Sequence, residues 1–119
     1  MNDATWRPID TLKKTNEDDI RQILVWHVYQ GVMVSDTGQA KENQFNVYWM
    51  EIPDWWMDLK NRLPDEKDAN EQKCVLTRDR FGDCFLRRWD YLHESQRAVA
   101  WERTPAAPPD AKELRRKGA

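Results

Sequence analysis

The sequence predicts an α+β protein, mostly antiparallel β, in which two related three-stranded β units are joined by a short helix near residues 54–63. Three observations lead to this prediction. Short runs rich in β-branched residues alternate with turn residues along the 119-residue chain, as in a series of short strands. Two of these runs are followed by a loop with glycine where a hairpin needs a left-handed residue. The two halves also show the same order of features, which indicates a tandem duplication.

The repeat defines the predicted organisation of the chain. Laying the second half over the first matches Leu12 with Leu63, Gly31 with Gly82, Trp49 with Trp101, and Pro53 with Pro105. The predicted parts are a first β unit over residues 1–53, a connecting helix over 54–63, a second β unit over 64–109 and a flexible charged tail over 110–119. Because a second copy can cover the surface that a partner chain would otherwise cover, the duplication favours a monomer.

The strands follow from the apolar runs and from the loops between them. The predicted strands are residues 23–28, 32–34 and 44–50 in the first half, and 74–79, 83–89 and 97–102 in the second. Gly31 and Gly82 belong to the loops of the two hairpins. The three-residue loop 80–82 sets a register in which Cys84 lies opposite Arg78 and Cys74 opposite Arg88.

A helix is predicted between the two halves. Asp54 is a suitable N-cap, and Leu59 and Leu63 follow the paired tryptophans at helical spacing. Pro64 would end the helix. We expect its aromatic face to lie across the sheet.

Composition and charge exclude several classes of function. The net charge of -2 does not draw the chain towards duplex nucleic acid or an anionic membrane. No apolar run approaches the length of a membrane span, and the first residues do not form a secretory signal. We therefore expect a protein of the cytoplasm that does not bind membranes.

The sequence offers little material for catalysis. His27 and His93 form no metal-binding pair, the two cysteines lack a zinc spacing, and the four glycines form no phosphate loop. We therefore predict no enzyme activity, no catalytic residue, no cofactor and no metal site. One alternative is an enzyme that acts through His27 or through a thiolate of Cys84 stabilised by Arg78. The other interpretation of Cys84 is a half-buried apolar side chain.

Binding to another protein is easier to argue. Trp55 and Trp56 are adjacent, so both cannot face one apolar stripe of a helix, and tryptophan is enriched at interaction hot spots. We predict that they bind a partner together with the hairpin tip, Arg80 and Phe81.

A single-stranded nucleic acid is the alternative partner. Its predicted site consists of Arg78, Arg80, Phe81, Arg87 and Arg88. Arginine and aromatic side chains on one hairpin could stack an exposed base and hold its phosphate. The nearby Asp79, Asp83 and Asp90 oppose this interpretation, because they cancel most of the local charge.

Several short motifs built from tryptophan and proline carry a resemblance. They are Trp6-Arg7-Pro8-Ile9-Asp10-Thr11, Ile23-Leu24-Val25-Trp26, Arg62-Leu63-Pro64-Asp65-Glu66, Val75-Leu76, Arg88-Trp89-Asp90 and Val99-Ala100-Trp101-Glu102-Arg103-Thr104-Pro105-Ala106-Ala107-Pro108-Pro109. The chain resembles small phage and prophage proteins catalogued as domain of unknown function 551, most clearly over residues 62–109. Thr104 stands where that family usually has leucine before its proline-rich ending.

The resemblance implies a provenance rather than an activity. It suggests an accessory protein of a phage or an integrated element that acts in the bacterial cytoplasm, and it brings no functional residues. Small phage proteins of this kind commonly occupy a surface of another protein. We therefore expect a non-enzymatic protein that binds a host or phage protein, with inhibition of a host defence or regulatory factor as one consequence.

Overall fold

The chain folds into two compact units. The computed structural model describes residues 6–13, 20–53, 56–94 and 98–118. Unit 1 consists of Met1–Ile52 with Pro105–Ala119, and unit 2 of Pro53–Thr104. Each unit contains one four-stranded antiparallel sheet. This confirms a fold that is mostly antiparallel β, with four strands in each sheet instead of the predicted three.

Unit 1 is built around a hairpin that packs on the loop before it. Its strands are β1 (Arg7–Pro8), β2 (Gln22–His27), β3 (Gly31–Asp36) and β4 (Asn46–Met50), in the order β1-β4-β2-β3. Leu12, Ile23, Val25, Ala40 and Trp49 form its buried cluster. Ile23 and Val25 alternate along β2 and therefore face the same side of the sheet.

Unit 2 has the same order of strands. They are β5 (Met57–Asp58), β6 (Cys74–Asp79), β7 (Cys84–Arg88) and β8 (Ala98–Glu102), in the order β5-β8-β6-β7. Val75, Leu92 and Trp101 form the buried cluster, with Leu59 and Trp89 packed against it. The remaining strands were predicted closely, whereas β1 and β5 are too short to show a pattern in the sequence.

The registers of the two sheets correspond residue by residue. Val25 lies opposite Trp49 in unit 1, and Thr77 lies opposite Trp101 in unit 2. Gly31 lies opposite His27, whereas the N–H of Asp79, which is at the position equivalent to His27, donates to the carbonyl of Asp83, one residue after Gly82. The predicted match of these two glycines is therefore wrong by one position. Both have positive φ, 79° and 90°, as their turns require.

The predicted helix over 54–63 is wrong for the part of it that the structure describes. Residues Met57–Asp58 form β5, with Met57 opposite Trp101. The Asp58 carboxylate then accepts a hydrogen bond from the backbone N–H of Lys60 at 2.8 Å, which favours a turn. The pairing partners of β5 lie in β8, far away in the sequence, so the spacing of residues within 54–63 could not indicate them. Asp54 and Trp55 lie outside the described residues.

Residues 110–118, predicted as part of a flexible tail, comprise a helix and the residue before it, and they contact unit 1, whereas Ala119 lies outside the described residues. The helix α1 (Ala111–Gly118) follows Asp110, which accepts a hydrogen bond from the hydroxyl of Tyr48 at 2.8 Å. Nε of Arg115 donates to the carbonyl of Val28 at 3.0 Å. These contacts join distant parts of the sequence and stabilise a helix too short to be stable alone. Unit 2 accordingly ends at residue 104, before the predicted boundary at 109.

A buried carboxylate organises the loop of unit 2. Asp68 is only 3% exposed and accepts hydrogen bonds from Nε of Arg103 at 2.6 Å and from the backbone N–H of Asp65 at 3.0 Å. Arg62 approaches it to 3.3 Å. Burial by itself raises the pKa of Asp68, but the hydrogen bonds from Asp65 and the two arginines outweigh it and leave the pKa lowered.

Replacing Asp68 tests this role. We expect Asp68→Ala to lower the free energy of unfolding by about 1–2 kcal/mol, because the backbone N–H of Asp65 loses its acceptor and the two exposed arginines lose their ion-pair partner. Glu66→Ala, at an exposed position of the same turn, is the control and should change it by less than about 0.5 kcal/mol. Urea denaturation at pH 7 measures both, and equal effects would contradict the assignment.

The lowered pKa of Asp68 also predicts a pH dependence. The unfolded chain protonates this group near pH 4, about its ordinary value, and the folded chain only at lower pH. The stabilisation is therefore complete above that range and is lost as the pH falls through the folded pKa. The difference in stability between the wild type and Asp68→Asn should shrink on acidification from pH 6 to pH 3.

Candidate functional site

Three aromatic rings on the β6–β7 hairpin and the turn after it each carry an arginine over one face. The guanidinium carbon lies 4.8 Å from the ring centroid for Arg80 over Phe81, 5.3 Å for Arg87 over Phe85, and 5.0 Å for Arg88 over Tyr91. The rings remain exposed, at 75%, 43% and 57% respectively. We call these six residues the arginine–aromatic row. Cation–π stacking fixes the direction of each guanidinium at the surface.

The turn between β6 and β7 accounts for the exposure of the tip. The Asp79 carboxylate accepts hydrogen bonds from the backbone N–H groups of Phe81 and Asp83, at 2.9 and 3.0 Å. Gly82 supplies the positive φ that completes the loop. With its backbone held in this turn, Phe81 projects beyond the sheet instead of packing on it, as its exposure shows.

Strand alternation divides the remaining arginines between the two faces of the sheet. Phe85 and Arg87 are two residues apart in β7, so they share a face. Arg88 directly follows Arg87 and so lies on the other face. Cys84 shares that face with Arg88, and Arg78 lies there too because it is opposite Cys84. The five residues predicted to bind single-stranded nucleic acid are thus not on one surface.

The arginines also differ in their ionic partners. Arg88 makes two hydrogen bonds with the carboxylate of Asp90, at 3.1 and 2.9 Å. Among the residues that the structure describes, Arg80 and Arg87 have no carboxylate within ion-pair distance. Nε of Arg87 is buried and lacks a hydrogen-bond acceptor within that part of the chain. Arg80 and Arg87 are therefore the two arginines of the row whose positive charge is available to a ligand.

The predicted tryptophan site does not join this row. Trp55 lies outside the described residues. Trp56 is half-buried and directly precedes β5. β5 and β7 are the two edges of the sheet, three strand spacings or about 14 Å apart. The structure thus keeps Arg80 and Phe81 together and separates them from Trp56.

Sequence reasoning missed Phe85 and Tyr91 as members of the exposed row. The signal for Phe85 was its spacing of two from Arg87, which places both on one face of a strand. Tyr91 follows Arg88 in a 3-10 turn, which no local pattern distinguished from a loop.

Cys84 does not have the surroundings of a reactive thiol. Burial raises the pKa of Cys84, and this effect outweighs the lowering by Arg78, while Asp79 and Asp83 raise it further. The predicted placement of Cys84 opposite Arg78 is confirmed. A thiol with a raised pKa is a poor nucleophile, which favours the interpretation of Cys84 as a buried apolar side chain.

His27 serves the turn of the first hairpin. Its Nδ1 accepts hydrogen bonds from the backbone N–H groups of Tyr29 and Gln30, at 3.2 and 3.1 Å. Asp79 performs the corresponding task in unit 2. Burial lowers the pKa of His27, so the neutral ring that can accept these bonds is the favoured form.

No metal site or membrane span is found in the part of the chain that the structure describes. No group of three or more metal-ligating side chains lies together there. No helix in those residues has the length and apolar character needed to cross a membrane.

Comparisons with protein-family models, curated proteins and solved structures find no match for this chain. The resemblance to the phage family remains a prediction from the motifs.

The role of His27 can be separated from catalysis by two substitutions. His27→Ala removes the acceptor and should lower the free energy of unfolding by about 1–2 kcal/mol. His27→Asn keeps an acceptor at the same distance from the backbone and should lose less. Urea denaturation at pH 7.5 gives both values.

The pH dependence provides the second readout for His27. Because its folded pKa is lowered, the unfolded chain takes up a proton first, and stability falls as the pH drops through about 6.5. Between pH 7.5 and 5.5 the wild type should lose more stability than His27→Asn. Parallel pH profiles would contradict the structural role.

Proposed function

We propose that this protein is a non-enzymatic accessory protein of a phage or prophage that binds a host or phage protein through part of the arginine–aromatic row, namely Arg80, Phe81, Phe85 and Arg87. The observation that carries the proposal is the pair of stacked guanidinium groups, Arg80 and Arg87, beside exposed rings and without carboxylate partners in the described residues. Arginine is enriched at binding hot spots, and phenylalanine is among the residues enriched in protein–protein interfaces.

The chemistry of the row indicates an acidic partner surface. A guanidinium stacked on a ring has lost part of its side-chain freedom, so pairing it with a carboxylate costs less entropy. Burying exposed Phe81 at the same time removes apolar area from water. Binding of this kind needs no reaction, and it inhibits a host defence or regulatory factor when the covered surface is that factor's functional surface.

The proposal also covers the evolutionary origin of the two units, the oligomeric state of the protein and its location in the cell. Units 1 and 2 arose by tandem duplication, which is supported by their common strand order and by Trp49 and Trp101 at matching register positions. The protein acts as a monomer in the bacterial cytoplasm. The duplication supports the monomeric state, and the motifs of the phage family support the location in the bacterial cytoplasm.

Affinity capture with matched variants tests the proposal. The tagged full chain is incubated with nuclease-treated bacterial lysate, and a captured protein is identified, purified and titrated. Arg80→Ala with Phe81→Ala should weaken binding at least about tenfold, as expected for loss of hot-spot side chains. Both positions are exposed, so the fold should be retained.

The control removes one charge and one apolar side chain elsewhere. Arg116→Ala with Leu63→Ala, both exposed, should leave the dissociation constant unchanged. Capture of no protein, or equal weakening in the two double variants, would contradict the proposal.

Single-stranded nucleic acid is the second candidate, because every base has a face that can stack on the exposed rings. The site would use Arg78, Arg80, Phe81, Arg87 and Arg88. The division of Arg78 and Arg87 between two faces counts against it. Titration of labelled oligothymidylate at 50 and 200 mM salt decides the question, since phosphate contacts require affinity to fall steeply with salt.

A further inference from the structure

The open edge of the second sheet lies along the arginine–aromatic row. β7 is the last strand in the order β5-β8-β6-β7, and among the described residues it pairs only with β6. An edge strand presents backbone N–H and C=O groups on its outer side, where a further strand can pair.

The register identifies which backbone groups face outward. The N–H of Asp79 donates to the carbonyl of Asp83 at 3.0 Å, and the N–H of Trp89 donates to the carbonyl of Lys73 at 3.1 Å. Hydrogen-bonded pairs recur at every second residue of an antiparallel ladder. The backbone groups of Phe85 and Arg87 therefore face β6.

By the same alternation, the backbone N–H and C=O groups of Leu86 and Arg88 point away from β6. The outer side of β7 thus offers a short row of donors and acceptors at the spacing of a strand.

The two long edge strands of the protein differ in accessibility. β3 is the corresponding edge of unit 1, and all of its residues are buried or half-buried. β7 exposes Phe85 and Arg88 and leaves Leu86 and Arg87 half-buried. The edge of β7 is therefore the one that presents side chains to a partner.

Charge indicates what kind of strand would fit. Arg87 and Arg88 are adjacent and so lie on opposite faces of β7. In a strand laid alongside, the residue opposite each arginine shares its face, where an opposite charge is stabilising. Because Arg88 is paired with Asp90, carboxylates on the face of the incoming strand that lies opposite Arg87 are the ones that would find an available charge.

We propose that the partner presents an extended acidic segment that pairs with β7 as an additional strand of the second sheet. Main-chain hydrogen bonds to Leu86 and Arg88 supply the register, and Arg87 with the hairpin tip selects carboxylate side chains. This inference rests on the proposed function, and it names the chemistry of the segment that is bound.

Three capped octapeptides test the inference on the full chain. Ac-(Glu-Thr)4-NH2 is acidic and can form a strand, Ac-(Lys-Thr)4-NH2 reverses the charge, and Ac-(Glu-Pro)4-NH2 keeps the charge but lacks half of the N–H groups. We expect the first to bind, the second not to bind, and the third to bind about tenfold more weakly, as the loss of one or two hydrogen bonds implies.

Amide exchange locates the contact. In the presence of Ac-(Glu-Thr)4-NH2, hydrogen exchange at the N–H of Leu86 and Arg88 should slow. The N–H of Val32 and Val34 in β3, the edge of unit 1, should not change. Binding without slowing at Leu86 would overturn strand addition.

A proline substitution tests the same edge from the protein's side. Leu86→Pro removes an N–H that points outward and spares the pairing with β6, because proline is tolerated on edge strands. It should weaken the acidic peptide about tenfold, whereas Leu86→Val should not. If Leu86→Pro does not fold, the proline-containing peptide and the exchange measurement still decide the outcome.

The results separate this inference from the proposed function. If Arg80→Ala with Phe81→Ala weakens capture of the partner while Leu86→Pro and Ac-(Glu-Pro)4-NH2 behave as their controls, strand addition is overturned and the binding surface stands. If none of the peptides binds although a partner is captured, the inference fails alone. If capture fails as well, both fail.

Discussion

The indole N–H of one buried tryptophan ties each sheet to the segment that leads into it. In unit 1, Nε1 of Trp49 donates to the hydroxyl of Thr11 at 3.0 Å, and in unit 2, Nε1 of Trp101 donates to the carbonyl of Arg62 at 2.7 Å. An arginine covers each ring, Arg7 at 5.3 Å and Arg62 at 4.8 Å. The ring fills the core while its polar edge is satisfied, which is the arrangement that buried tryptophan requires. The long polar loops are thereby anchored, and the hairpins have a fixed base.

This anchoring determines which side chains remain for binding. Asp68 accepts hydrogen bonds within the loop that it organises, and His27 and Asp79 accept hydrogen bonds within the turns that they close. Arg80 and Arg87 are held on rings but not by carboxylates in the described residues. Groups placed on a rigid hairpin lose little freedom on association. The proposed binding surface therefore consists of arginines whose positions are held by aromatic rings and whose charges are not paired with carboxylates in the described residues.

The sequence allowed the hairpins and their register to be predicted, because Gly82 and strand alternation are local signals. The prediction of a helix over 54–63 was wrong because β5 is stabilised by pairing with β8, which is distant in the sequence. Helix α1 was missed for a related reason, since its contacts with Tyr48 and Val28 are tertiary. Arg80 and Phe81 could be grouped from the sequence because they are adjacent, and the structure stacks one on the other. The separation of Trp56 from them depends on the order of strands, which no local pattern contains.

Hydrogen–deuterium exchange of the full chain, alone and with the partner protein proposed above, tests the location of the binding surface most directly. The surface described above predicts slower exchange in residues 79–89 and unchanged exchange in the unit 1 hairpin, residues 27–31. Slower exchange in unit 1 with residues 79–89 unaffected would contradict it, because the arginine–aromatic row would then lie outside the interface.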